Sequence, residues 1–189
     1  MNYYSSLIKE RLGEKLYRHS LNVAEAAVSL AEHYGADTEK AKLAGLVHDY
    51  GKRYSKQDLI RKAELLELPL DRITKQQVKL LHAPVGAALL ESELQISDPE
   101  IIRAVAYHTT GRRGMALLDK ITYLADYVEE GRQFEGVEYI REAAYCNLDQ
   151  ALLAAVDTAI RSILDRGLLL HPRSVDFRNS LLEDIVKEI

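Results

Sequence analysis

The chain has 189 residues, 47% of them hydrophobic and 29% charged, with a net charge of −4 at pH 7. That length suits one domain, and the apolar content is too high for a disordered chain. A single cysteine, Cys146, excludes an intrachain disulfide and any cysteine-rich zinc site. The apolar stretches are short and interrupted, as by Asp157, so none approaches the ~18 residues of a membrane span. The opening MNYYSSLIKE has no signal-peptide core. The acidic balance argues against a duplex-DNA partner. A cytoplasmic protein with neither nucleic-acid nor membrane partners is expected, and a homodimer would be unsurprising.

Leu16, Val23, Ala24, Ala27, Leu30, Ala31 and Tyr34 recur at helical spacing and predict a helix over 14–34, stopped by Gly35. Asp37 is placed to cap a second helix over 38–50, ended by Gly51. Ser55 with Asp58 opens a third helix towards Leu66, before Pro69 breaks the pattern. Asp71 or Thr74 starts a short helix reaching Leu81, and Pro84 suits the first turn of another ending near Leu94. Ser97-Asp98-Pro99 repeats the cap-then-proline signal for a helix ending near His108. Helices over 115–129, 137–145, 148–166 and 175–187 complete the reading. No strand pattern, repeat or linker is evident, so the fold class is all-α, a compact helical bundle in one domain spanning 1–189.

The strongest local signal is His48-Asp49, at the end of a helix that is apolar on nearly every side. A buried carboxylate loses several kcal/mol of solvation unless it is paired or binds a metal. A structural His–Asp pair and a ligand pair both satisfy that demand. His19 sits at the edge of its helix's apolar stripe, from which it can reach a neighbouring helix. His82, ahead of Ala83-Pro84, is expected just outside a helix's positive end, where phosphate is favoured. His108 ends a helix before the small-residue loop 109–114, which carries Arg112 and Arg113. By periodicity alone Asp126 lies opposite the apolar stripe of its helix and reads as solvated. His33 reads as surface.

Together these residues resemble the HD superfamily of metal-dependent phosphohydrolases, whose pattern is H…HD…D, here His19, His48-Asp49 and Asp126. The blocks RHSLNVAEAAVSLAEHYGAD, LAGLVHDYGK, HAPVGAALLE, AYHTTGRRGM and LDKITYLADYVEEGR are similar to successive blocks of the bacterial symmetrical diadenosine tetraphosphatase family. Two departures stand out. The second block usually reads His-Asp-Tyr-Ala-Lys, and Gly51 at the alanine's place is expected to loosen the turn. The Asp126 block often continues Glu-Pro-x-Arg, whereas this chain has Glu129-Glu130-Gly131-Arg132.

The resemblance implies an HD-type fold with a metal-site core over about 15–130 and helices over 137–189 packed on it. It implies that His19, His48, Asp49 and Asp126 hold a divalent transition metal, iron first, with manganese or cobalt as substitutes. His82 and His108 would complete a second site, or contact phosphate if one ion is bound. The implied reaction is attack of a metal-bound hydroxide on a central phosphate of diadenosine tetraphosphate, giving two ADP. Asp49, Lys52, His82 and His108 would act in catalysis. His19, Lys52, His82, His108, Thr109, Asp126 and Arg132 would contact the nucleotide, with Arg112 or Arg113 as further cations. His171-Pro172-Arg173-Ser174-Val175-Asp176-Phe177 resembles a block that closes over the nucleotide; a helix N-cap at Ser174 or Asp176 is the alternative, and Phe177 is either a base-stacking ring or core. Other readings are a nucleotidase with the same ligands, a non-catalytic nucleotide sensor, and a helical interaction protein with structural histidines.

Overall fold

The computed structural model describes residues 2–187, and among them there is no strand. Helix α1 (Asn2–Tyr34) starts more than three turns before the expected residue 14. Gly13 interrupts it, adopting φ 74° and ψ 166°, a conformation that carries no penalty only without a Cβ. Helix α2 (Thr38–Val47) begins where predicted, with the Asp37 carboxylate accepting from the amides of Glu39 and Lys40 at 3.0 Å. It ends sooner than predicted: His48 and Asp49 form the turn into a 3-10 segment (Tyr50–Arg53). That early end turns both side chains away from the helix axis and into the interior.

Ser55 caps α3 (Lys56–Leu65) and Asp71 caps the short α4 (Arg72–Gln76), which a second 3-10 turn (Val78–Leu81) joins to α5 (His82–Leu94). His82 therefore opens α5 and belongs to its first turn, a correction to its expected place outside the helix. Asp98 caps α6 (Pro99–Tyr107), with Pro99 at the first position. Then follow α7 (Leu117–Val128), α8 (Val137–Ala143), α9 (Leu148–Asp165) and α10 (Pro172–Lys187). Because α10 already runs from Pro172, neither Ser174 nor Asp176 is its N-cap; the His171 Nδ1 instead accepts from the Arg173 amide at 3.1 Å.

Helix α1 packs along α2 and α7, α5 along α6, α6 along α7, and α9 along α10. The shared interior includes Val23, Ala27, Leu30, Leu46, Val47, Leu90, Ile121 and Leu124, all buried. Each large aliphatic side chain buried there contributes roughly 1.5–3 kcal/mol. One polar lock crosses this core. Asp119 is fully buried, accepts from Arg103 Nε at 3.0 and 2.9 Å, and reaches back to the Ala116 amide at 3.1 Å. This pair joins α6, which ends at His108, to α7, which carries Asp126, and so holds two candidate site residues in register.

Candidate metal centre

Four imidazoles converge on one point, and each is oriented through its Nδ1. His48 Nδ1 donates to the Gly45 carbonyl at 2.7 Å, His82 Nδ1 to Lys79 at 2.5 Å and His108 Nδ1 to Val105 at 2.7 Å. His19 Nδ1 donates to the buried Glu129 carboxylate at 3.1 Å. With every Nδ1 carrying the proton, the four Nε2 atoms present lone pairs inward, the arrangement that metal-ligating histidines use. Three of these histidines bond a carbonyl three residues back, which is where a helix or 3-10 turn places an unused acceptor.

Asp49 divides the site. Its Oδ2 faces His48 Nε2 at 3.3 Å, His19 Nε2 at 3.6 Å and Lys52 Nζ at 2.6 Å. Its Oδ1 faces His82 Nε2 at 3.3 Å and His108 Nε2 at 3.5 Å. Asp126 Oδ1 closes the first group, 3.0 Å from His19 Nε2 and 3.9 Å from His48 Nε2.

These atoms fit a divalent cation. His19 Nε2, His48 Nε2 and Asp49 Oδ1 are buried and have no hydrogen-bond partner, and an unsatisfied buried polar atom costs about 1–3 kcal/mol. The His82 and His108 Nε2 lone pairs also face each other at 3.1 Å. Only a proton or a cation between them relieves that repulsion. Among the described residues, two groups satisfy the spacing of a metal site: His19, His48 and Asp126, and His48, Asp49 and His108. Nitrogen and carboxylate oxygen donors without thiolate suit iron, manganese, cobalt or zinc.

The charges follow the same division. Burial would raise the Asp49 carboxyl, but His48, His108 and His82 hold it well below the usual range. Burial acts likewise on Asp126, which His19, His48 and Arg132 keep ionised. His108 is pushed down to about 4, by burial in the first place and against the nearby charge of Asp49, so it is neutral at pH 7 and free to ligate. Arg132 donates through Nη2 to the Asp126 carboxylate and through Nε to the Asp126 carbonyl at 2.6 Å.

A family model described as HD domain matches residues 16–131 of the chain. The chain belongs to the HD-domain family. Within it, a symmetrical bis(5'-nucleosyl)-tetraphosphatase of Halalkalibacterium halodurans is 38% identical over 93% of this chain and 94% of its own. The protein of the same name from Staphylococcus aureus is 38% identical over 92% and 90%. Among solved structures, a predicted HD superfamily hydrolase involved in NAD metabolism from Clostridium acetobutylicum superposes with a TM-score of 0.93 at 39% identity, covering 97% of each chain. The all-helical reading and the family resemblance therefore stand.

In this HD domain a cleft of about 1210 Å³ opens beside the centre, walled by Thr109, Asp126, Arg132, His171 and Ser174 among others. Thr109 Oγ1 lies 3.3 Å from His108 Nε2 and 3.4 Å from His82 Nε2. Asp126, expected from its period to be solvated, is 15% exposed at its side chain because the polar face of α7 lines this cleft. Lys52, expected to contact the nucleotide, donates to Asp49 Oδ2 at 2.6 Å and is not among the residues that wall the cleft.

The late block is only partly brought to the cleft. His171, bonded through Nε2 to Asp71 at 2.9 Å, and Ser174 are in the wall, whereas Pro172, Arg173, Val175 and Asp176 are not. Phe177 is core, 1% exposed and edge-on to Tyr123, so it has no face for a base. Arg113 pairs with Glu183 at 2.5 Å, and Arg112 lies over the Tyr107 ring and near Asp119, so neither is directed at the cleft.

Gly51 tightens the turn, against expectation: a Cβ there would collide with the His82 carbonyl, so the glycine lets the two halves of the site approach. Glu129 went unassigned in the sequence. It is buried and accepts from His19, from Asn22 Nδ2 at 3.0 Å and from the Gly131 amide at 2.6 Å. Its one signal is a carboxylate three residues beyond the candidate ligand Asp126, one turn on at the end of α7.

Proposed function

We propose that this chain is a metal-dependent phosphoanhydride hydrolase that cleaves diadenosine tetraphosphate symmetrically into two ADP. The observation that carries the reading is the convergence of four inward Nε2 atoms on the two oxygens of one buried aspartate, beside a cleft that Asp126 and Thr109 share with the centre and that is large enough for a nucleotide. The curated relatives that share nine-tenths of its length carry the same activity in their names. His19, His48, Asp49 and Asp126 would hold one ion, with iron the first choice and manganese or cobalt as substitutes. His82 and His108, on the other oxygen of Asp49, would hold a second. A divalent ion in such a site acidifies water at neutral pH and draws charge from phosphoryl oxygens.

The chain's own groups supply the rest. Arg132 and the Thr109 hydroxyl bind phosphate oxygens at the cleft end nearest the centre, and His171 and Ser174 bound the nucleotide from α10. Lys52 balances the charge of Asp49 and would offset negative charge developing on a phosphate brought to that carboxylate. Attack on a central phosphorus breaks a phosphoanhydride bond and releases ADP, whose phosphate carries the departing electron pair without a dedicated proton donor.

The reading includes a small-molecule substrate and no nucleic-acid partner. No helix among the described residues is long and apolar enough to cross a membrane. A cytoplasmic location accords with the exposed free thiol of Cys146. Anaerobic incubation of metal-loaded protein with diadenosine tetraphosphate, followed by ion-exchange separation, tests the proposal. ADP alone is expected. ATP with AMP would move the attack off centre, and no turnover with metal bound would refute the substrate.

A further inference from the structure

The cleft continues well past the metal centre. Its far wall is formed by α8, the C-terminal half of α9 and the turn after it, including Tyr139, Arg161, Arg166, Leu168 and Leu169. Most arginines of the chain pair with a carboxylate, as Arg132 does with Asp126 and Arg178 with Asp157. Arg161 and Arg166 make no ion pair among the described residues, although Asp165 and Glu135 stand in the same wall. Beside them Tyr139 is 65% exposed, and Leu168 and Leu169 are 42% and 41% exposed. Arg166 Nε donates to the Ser162 carbonyl at 2.8 Å, and guanidinium groups without a carboxylate partner next to an open aromatic ring and an apolar floor form a surface suited to a nucleoside phosphate. The arginines take phosphate oxygens, and the ring and leucines cover a base.

The near end of the cleft offers one set of phosphate-binding groups and no second stacking face for a two-ended substrate. Arg132, Thr109, His171 and Ser174 surround one short stretch beside the centre, and Phe177, which would have offered a second stacking face there, is core. Cleavage at the middle of the bridge requires the two halves to leave the centre in different directions. Away from the centre this cleft is lined by the 77–80 turn, by residues 134–136 and, with two guanidinium groups beside an open ring, along α9 and the turn after it.

We infer that the α8–α9 end of the cleft seats the second nucleoside diphosphate half, with Arg161 and Arg166 on its phosphates and Tyr139, Leu168 and Leu169 against its base. This rests on the proposed hydrolysis of diadenosine tetraphosphate and extends it. Occupancy of both ends centres the bridge on the metal site, which is how a chain with one centre selects symmetrical cleavage.

The test uses metal-loaded full chain, wild type against Arg161→Gln/Arg166→Gln and, separately, Tyr139→Ser. All three side chains are on exposed positions, and circular dichroism checks the fold. Steady-state kinetics with diadenosine tetraphosphate should show KM raised about tenfold or more, the scale of losing charge-assisted phosphate contacts, with kcat changed much less. Calorimetry with ADP should show two molecules bound per wild-type chain and one per arginine variant. Wild-type hydrolysis with unchanged KM and ADP stoichiometry in every variant would overturn the second seat and leave the proposed activity standing. A wild type that holds metal but does not cleave diadenosine tetraphosphate would overturn both.

Discussion

Replacing Glu129 by glutamine separates the role of this carboxylate from its bulk. Two oxygens serve three donors: Oε1 takes His19 Nδ1 at 3.1 Å, and Oε2 takes Asn22 Nδ2 at 3.0 Å and the Gly131 amide at 2.6 Å. A glutamine has one acceptor oxygen, and the backbone amide with Asn22 will claim it. Its NH2 group then faces the Nδ1–H of His19, donor against donor. His19 relieves this by moving its proton to Nε2, which removes the lone pair it points at Asp126 and Asp49. Loss of such an outer partner costs ~10–100-fold in metal affinity, or about 1.4–2.8 kcal/mol. Removing a hydrogen bond to a charged group costs ~1.5–3 kcal/mol of stability, part of which the glutamine recovers. Metal affinity of Glu129→Gln, measured by competition with a chromogenic chelator, should therefore fall while the melting temperature changes by only a few degrees. Wild-type affinity in a folded variant would refute the tautomer argument. A collapse of stability with no selective loss of metal would make Glu129 a purely structural residue.

Asp49→Ala removes the atom pair that both histidine groups share, and metal content by elemental analysis should fall to background together with activity; stoichiometric metal in the variant would contradict the shared role. Phe177→Ala should lower stability by ~3–5 kcal/mol, seen in urea unfolding, because its ring fills core between α7 and α10; a change under about 1 kcal/mol would place the ring outside the core. Partial burial would raise Asp71, but the Thr74 amide, His171 and the Ile73 amide lower it to about 2. Its folded pKa lies below the ordinary 3.8, so its stabilisation is complete above about pH 4 and is lost as the pH falls towards 2. In Asp71→Asn, the difference in unfolding midpoint from wild type should shrink over that interval; a constant difference would disprove the linkage.

The helices and several of their starts were legible in the sequence because the signals are local. Asp37, Ser55 and Asp98 cap the helices that follow them, and a cap needs only a side-chain oxygen within three residues of a free amide. The 3-10 turns, the early end of α2 and the first segment of α1 were not legible, since packing chose among helical alternatives of similar intrinsic propensity.

For the site, the ordered blocks marked His19, His48, Asp49 and Asp126 as a set, while the periodicity of α7 gave the opposite answer for Asp126. Hydrophobic period reports how apolar a face is. It does not tell whether a polar face meets water or other polar groups, and Asp126 is enclosed because His19, Arg132 and the cleft replace its water. Glu129, the tight approach at Gly51 and the unpaired arginines of α9 depend on residues far apart in the chain. The amino-acid order by itself determined that the chain is all-helical, where several helices start, and the ordered His and Asp blocks by which it resembles its family. Tertiary structure alone decided which of those side chains meet and which oxygen of Asp49 each faces, because buried lone pairs are satisfied by partners that only packing brings within reach.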